Sequence, residues 1–416
     1  GFDRQAAQAV AGASLRTLAG LVDASWVQAA TGERFDFHPL LLAYVREKLA
    51  QSAEFADADV EALRRRHSDY FSILAAQHHT DWGAVLANSA NIWLGWNYAL
   101  QRLNTSLIDR YLDVVLHLAV HEGVTRQVET AIANGLREVD GAIEQGNADR
   151  EQMLRSALLS DGRAAFANRA GAPRVAEEWT RRALARLDAI GDHHSLLRGD
   201  IEATLCWVLF TQSRIREADV QLARALQIFY QHEEVPRIAG GLSYRVTVAR
   251  EQGRFADAHS YLAEVQAMAR NDQITPEFYR SIAWQLAIEE GRLDDAEKLQ
   301  PTIESSQSEL SSPTLPHLFW GRYQLARGDL ATARSHAQIV MESGQKLEIR
   351  NQEVWALIDL GEIELRAGNP ELAGDYFRRG LTAAKKMGRG KEIARAHNGL
   401  GFVALAQGKE KAAGES

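Results

Sequence analysis

Seven times along the chain a small residue is followed five positions later by alanine, with apolar helical stretches on either side. The pairs are Gly171/Ala176, Ser213/Ala218, Gly253/Ala258, Gly291/Ala296, Gly328/Ala333, Gly368/Ala373 and Gly408/Ala413. Successive intervals are 42, 40, 38, 37, 40 and 40 residues. A near-constant period of that size predicts a stack of helix pairs, because one pair cannot bury its apolar face alone and its neighbours must cover it. In such a stack, function sits on the surface that the helices present.

The register extends beyond the turn. Seven residues before each turn residue stand Ala164, Cys206, Val246, Trp284, Gly321, Gly361 and Gly401. All except Trp284 are small or modest in size, as a close crossing of two helices requires. Glycine at the turn permits the left-handed conformation that ends a first helix. Acidic residues then crowd the start of the next helix, as at Asp257, Asp294, Asp295 and Glu371, where they complement its positive end.

This pattern resembles the tetratricopeptide repeat over about residues 155–416. The usual repeat there is about 34 residues, so helices or connections are expected to be longer here. The longer period is similar to that of the superhelical domain of bacterial regulators of the maltose-regulon-activator type. The resemblance implies that the first helix of each pair lines a groove, with residues six and three positions before the turn facing inward. Those offsets give Trp207 and Phe210, Thr247 and Arg250, Gln285 and Ile288, Arg322 and Leu325, Glu362 and Leu365, and Phe402 and Leu405. Offsets of thirteen and ten add Trp355, Arg395 and Asn398. Rings supply contact area and the amides and charges fix register, a set suited to an extended peptide or a small ligand.

The first fifty residues follow another rule. Asp3 to Leu21 predict one or two amphipathic helices, with Leu15, Leu18, Leu21 and Val22 on one face. Ser25-Trp26-Val27-Gln28 and Arg34-Phe35-Asp36-Phe37, separated by Thr31-Gly32-Glu33, predict a hairpin, and His38-Pro39-Leu40 opens a helix through Leu49. Together with Arg66-His67-Ser68-Asp69-Tyr70-Phe71 and Asn91-Ile92-Trp93-Leu94-Gly95-Trp96-Asn97-Tyr98, this order resembles the winged helix and helical arm of the STAND signalling ATPases. Many bacterial members of that family are transcriptional regulators. The resemblance implies that His38 contacts the phosphate of ADP bound by an ATPase module lying outside this segment, with ADP/ATP as cofactor of the full-length protein and none in the segment itself. A histidine that only caps its helix is the competing reading of His38.

The expected fold is therefore all-α: a right-handed superhelical array of tetratricopeptide-like repeats over 151–416, preceded by a helical arm over 51–150 and a small winged-helix remnant over 1–50. The arm is expected to hold four helices, and its rings Trp82, Trp93, Trp96 and Tyr98 are expected in its core. The resemblance implies a sensor and interaction region that binds a protein, a peptide or a small inducer and is able to oligomerise on activation. The alternative is a constitutive scaffold that docks a partner without switching.

Composition narrows the field. Lys and Arg number 47 against 55 for Asp and Glu, a formal charge of −8, which gives no electrostatic case for direct nucleic-acid or membrane binding. No apolar run approaches the roughly 20 residues of a membrane span. The single cysteine, Cys206, sits at a helix-crossing position and reads as packing in a cytoplasmic protein. Gly388-Arg389-Gly390-Lys391-Glu392 superficially echoes a phosphate loop, but Glu392 stands where a hydroxyl is needed and Lys385 where the first glycine belongs, so it reads as a connection and the segment as no enzyme. His117 and His121 have ligand spacing without a third ligand. His78-His79 and His193-His194 are placed at helix ends. The start at Gly1-Phe2-Asp3 and the small, charged tail after Gly408 are expectations of a fragment of a longer protein.

Overall fold

The computed structural model describes residues 1–30, 34–51, 57–77, 82–146, 148–271, 273–274, 276–299, 315–347 and 349–408. The Thr31-Gly32-Glu33 turn, His78-His79, Ala413 and the tail lie outside the described residues. The chain divides into two compact units, Gly1–Ala119 and Val120–Ser416.

The first unit begins with β1 (Phe2–Asp3), α1 (Arg4–Ala11), α2 (Leu15–Asp23), β2 (Val27–Ala30), β3 (Arg34–Phe37) and α3 (Pro39–Gln51). Asp3 caps α1 by accepting the Ala6 N–H at 2.7 Å, and Ser14 caps α2 by accepting that of Thr17 at 3.1 Å. Strands β2 and β3 form the expected antiparallel pair, with Val27 opposite Phe37 and Ala30 opposite Arg34. The first strand of the pair starts two residues later than expected, because Ser25 takes a positive φ of 61° and turns the chain. β1 adds a third strand that the sequence did not signal, giving the order β1-β3-β2. On α2, Leu18 is buried while Leu15 is exposed, so the apolar face is narrower than its spacing implied.

Four more helices belong wholly or mainly to this unit: α4 (Asp57–Gln77), α5 (Trp82–Ala87), α6 (Ser89–Gln101) and α7 (Thr105–His121). With α8 (Thr125–Glu144) in the second unit, the stretch expected to be a four-helix arm holds five helices among the described residues. The extra one arises where Asn88 departs from helical geometry between α5 and α6, at φ −112° and ψ 9°. The core of the unit packs Phe71, Ile92, Trp96, Ile108 and Tyr111. Tyr111 donates its hydroxyl to Ser68 O at 2.8 Å, and the Ser68 hydroxyl donates to Gly95 O at 2.9 Å. A Cβ on Gly95 would lie 1.9 Å from Tyr111 Oη, so only glycine fits there.

The second unit continues with five helix pairs. They are α9 (Arg150–Arg169) with α10 (Pro173–Ala189), α11 (Leu196–Thr211) with α12 (Ile215–Gln231), α13 (Val235–Glu251) with α14 (Phe255–Arg270), α15 (Pro276–Glu289) with α16 (Leu293–Leu299), and α17 (Leu315–Arg327) with α18 (Leu330–Lys346). A sixth pair, α19 (Arg350–Arg366) with α20 (Pro370–Met387), precedes α21 (Gly390–Ala406). Within each pair the helices pack on one another, and first helices also meet directly, α9 with α11, α17 with α19 and α19 with α21.

The turn register holds throughout. Gly171, Ser213, Gly253, Gly291, Gly328, Gly368 and Gly408 all have positive φ, between 62° and 86°. Ser213 does so without the freedom of glycine, at 62°. The six described alanines, from Ala176 to Ala373, are all fully buried. Gly361 shows why the crossing position is small: Phe377 of α20 lies between it and Gly399, and a Cβ on either would fall within 3 Å of the ring. Trp284, the oversized exception, is accommodated by other rings, with Trp320 at 5.4 Å and Tyr323 at 5.8 Å. The same register occurs twice upstream with larger residues, at Leu103/Ile108 and Gly123/Val128, where both turn residues have positive φ and both partners are buried.

Candidate functional site

The residues picked by turn offset divide into distinct groups on the first helices of the repeats. Arg322, Glu362 and Arg395 share one network. Arg322 Nε donates to Asp359 Oδ2 at 2.9 Å, while Arg395 Nη2 donates to Asp359 Oδ1 and Glu362 Oε1, each at 2.8 Å. Asp359 thus joins α17, α19 and α21. Burial alone would raise its carboxyl, but the Arg322 and Arg395 guanidiniums overcome that and hold it below the usual carboxylate range.

Trp355 belongs to a second network. Its Nε1 donates to Glu392 Oε1 at 2.8 Å, and the Arg389 guanidinium lies over its ring at 5.2 Å. Arg389 also donates to Glu392 at 3.1 Å and to Asn351 Oδ1 at 2.7 Å. Burial pushes the Glu392 carboxyl up, and the charge and hydrogen bonds of Arg389, with the Trp355 bond, bring it below the ordinary value.

Trp207 and Phe210 form an aromatic stack with Tyr244. Trp207 lies 5.4 Å from Phe210 at an interplanar angle of 15° and 5.6 Å from Tyr244 at 22°. Arg250 pairs with Glu251 at 2.8 Å and with Glu289 at 2.9 Å. Gln285, Thr247, Ile288 and Leu365 are half-buried, Leu325 is buried, and Asn398, Phe402 and Leu405 are exposed on α21.

Asp359, Glu392, Arg389 and Tyr244 are members of these groups that the offset rule did not select. A sequence signal for them exists in the repeat itself. Arg214 meets Glu177, Arg237 meets Asp200, Arg250 meets Glu289, Arg322 meets Asp359, and Trp355 meets Glu392, at separations of 37 to 39 residues. Each partner stands about one repeat away. A shorter rule operates at the turns, where Arg214 pairs with Glu217, Arg254 with Asp257 and Arg292 with Asp295, all within 2.7 Å.

Beside the Asp359 network, His317 and His336 place their Nδ1 atoms 2.9 Å apart. One nitrogen must donate and the other accept, so this contact requires that the rings not both be protonated. Burial lowers both imidazoles, and His317 lowers His336 further. A small cavity here is lined by His317 with Gly321, Arg322 and Asp359.

His38 is exposed at the start of α3, where its Nδ1 accepts the Leu40 N–H at 3.3 Å and its carbonyl accepts that of Leu42 at 3.0 Å. It therefore caps its helix. His67 contacts Asn91 Oδ1 at 3.3 Å, while Asn91 Nδ2 donates to Gly1 O at 3.0 Å, so two of the stretches singled out in the arm are neighbours in space. Cys206 is buried and its thiol is pushed up to about 12, as a packing residue. His117 turns to Asp113, with Nδ1 2.8 Å from its carbonyl, and no cluster of three metal-ligating side chains occurs among the described residues. His193 and His194 lie in the connection after α10 rather than at its end, with His193 3.8 Å from Asp188. No described helix is long and apolar enough to cross a membrane.

No family model matches the chain, and no curated protein matches it. Among solved structures it is similar to a Rap protein complexed with Competence and Sporulation Factor, at 14% identity and a TM-score of 0.54, covering 84% of this chain and 92% of that one. A tetratricopeptide repeat protein from Parabacteroides merdae matches at 15% identity and a TM-score of 0.40, over 71% of this chain and 97% of that one. A STAND protein with a tetratricopeptide repeat sensor from Pyrococcus horikoshii matches at 12% identity and a TM-score of 0.38, over 100% of this chain and 53% of that one. The chain is an all-α protein with a stack of tetratricopeptide-like repeats, and it shares its fold with the first of these structures.

Proposed function

We propose that this chain is the sensor and interaction region of a STAND-type regulator, in which the first helices of the repeats hold a protein, a peptide or a small inducer. The observation that carries the reading is the aromatic stack of Trp207, Phe210 and Tyr244, an apolar platform of partly exposed rings on the face selected by the repeat register. The fold shared with a Rap protein complexed with Competence and Sporulation Factor supports a binding role. The STAND reading rests on the Phe35-Asp36-Phe37-His38-Pro39-Leu40 stretch and the arm that follows it.

In that reading ADP and ATP belong to the full-length protein and this chain supplies His38. The residue suits the task. When Nδ1 accepts the Leu40 N–H, a neutral ring carries its proton on Nε2, which is then a donor for a phosphate oxygen beside a helix start. A bound partner shifts such a switch only by favouring one state over the other. The second reading, a scaffold that docks its partner without switching, is favoured by the mutual saturation of Arg322, Asp359, Glu362 and Arg395, which pre-sets that part of the face.

Native mass spectrometry of the protein purified from its host, followed by titration of the ligand or partner recovered, tests the proposal. Trp207→Ala is expected to weaken binding at least tenfold with little loss of helical content. Equal affinity for Trp207→Ala and the parent chain would remove the aromatic stack from the site. In the full-length protein, faster ADP release from His38→Ala would support the switch, and unchanged release would leave the scaffold.

A further inference from the structure

The connection between α20 and α21 and the helix ends that flank it touch the turns of the first three repeats, 140 to 216 residues away in sequence. The Lys391 N–H donates to Ser213 Oγ at 3.1 Å, and its ammonium pairs with Glu251. Asn351 Nδ2 donates to Asn168 O at 3.1 Å, and Asn351 Oδ1 accepts from Arg389. Met387 lies against Gly171, where an added Cβ would sit 2.5 Å from its terminal methyl. Met387, Arg389 and Lys391 flank Gly388, whose left-handed φ of 68° ends α20 and turns the chain.

We propose that this contact is a reversible latch, closed by Lys391 and Glu251, that joins the sixth and seventh repeats to the first three and sets whether the array is closed or open. The inference does not depend on what the array binds. Three features distinguish a latch from permanent core. The joining groups are largely polar. The ion pair is reached by solvent, with Lys391 43% exposed and Glu251 16% exposed. The contact is also made at turns and helix ends rather than along the helix faces. Glu251 is suited to hold it, because Lys391 and Arg250 keep its carboxyl ionised against the upward push of burial. The segment resembling a phosphate loop thus has a different role. Its lysine is directed to a carboxylate within the chain.

Cross-linking tests the latch on the full chain. In Ser213→Cys/Gly390→Cys, the new Cβ at 390 would lie 3.0 Å from that at 213, so a disulfide requires a shift of under about 1 Å. Cys206 is buried and does not compete. The disulfide is expected to form readily in mild oxidant and to form more slowly as salt rises. Adding Lys391→Glu is expected to slow it roughly five- to tenfold, because a pair worth up to about 1 kcal/mol becomes repulsive. Glu251→Lys with Lys391→Glu is expected to recover most of the rate. Circular dichroism confirms that each variant is folded. No disulfide in the folded cysteine pair would overturn the closure. Equal rates with Lys391→Glu, or no recovery in the charge swap, would overturn the assignment to this ion pair.

Discussion

The two units of the chain solve the problem of close helix approach in different ways. In the first unit one site does it once: Gly95 admits the Tyr111 hydroxyl, which is held by Ser68. In the second unit a small or modest residue before every turn but that of Trp284, and an alanine after it, do the same job pair after pair, and a charge network then links neighbouring repeats. A repetitive core spreads its constraints along the chain, whereas a single core concentrates them. A defect in the first unit should act on the unit as a whole. In the repeats it should act on neighbours first.

The largest effect should come from Asp359, which would break the link among three repeats. Asp359→Ala leaves two guanidiniums facing each other and is expected to cost about 3–5 kcal/mol, measured by denaturant unfolding. Gly95→Ala should cost about 3 kcal/mol through overpacking, and Gly95→Ala/Tyr111→Phe should recover part of it by removing the clashing oxygen. Failure of that recovery would show that Tyr111 is not the reason for the glycine. In the repeats, Gly399→Ala pushes on Phe377 and should cost about 1–3 kcal/mol, with partial relief from Phe377→Leu.

Acid should act on both units, since burial also lowers the His67 imidazole in the first. His317 and His336 are lowered in the folded state, so unfolded chains bind protons first and repeat stability falls as pH drops below about 6.5. Asp359 is also lowered, and its contribution is lost as pH falls below about 4. Thermal melts followed at pH 7 and pH 5.5 should therefore show a drop that His317→Gln/His336→Gln diminishes. The smallest effect belongs to an exposed pair in the first unit, Arg102 and Glu61 at 2.7 Å. Arg102→Ala should leave the denaturation midpoint close to that of the parent chain, because solvent screens an exposed pair.

Much of the repeat architecture was legible because its demands are local. A left-handed turn selects glycine, and close crossing selects alanine, so both recur at a fixed interval. Ser213 shows that the register survives even where the preferred residue does not. Leu103/Ile108 and Gly123/Val128 escaped because isoleucine and valine stand at the alanine position, and leucine at one of the two turns. The third strand, β1, escaped for a different reason: two residues carry no periodicity.

The candidate face was legible in part. Turn offsets selected Arg322, Glu362, Arg395 and Trp355, but they did not reveal that these residues engage Asp359 and Glu392. Pairing one repeat apart depends on the rise between repeats, which no single helix encodes. The contact of Asn351 with Asn168 depends on rotation accumulated over several repeats, and sequence spacing alone carries no trace of it.

Neighbouring repeats are coupled through the charged network on their first helices. Native-state hydrogen exchange of Asp359→Asn compared with the parent chain tests it most directly. Loss of protection in α17, α19 and α21 together, with α4 and α6 unchanged, is the predicted result. Loss confined to α19 would contradict it.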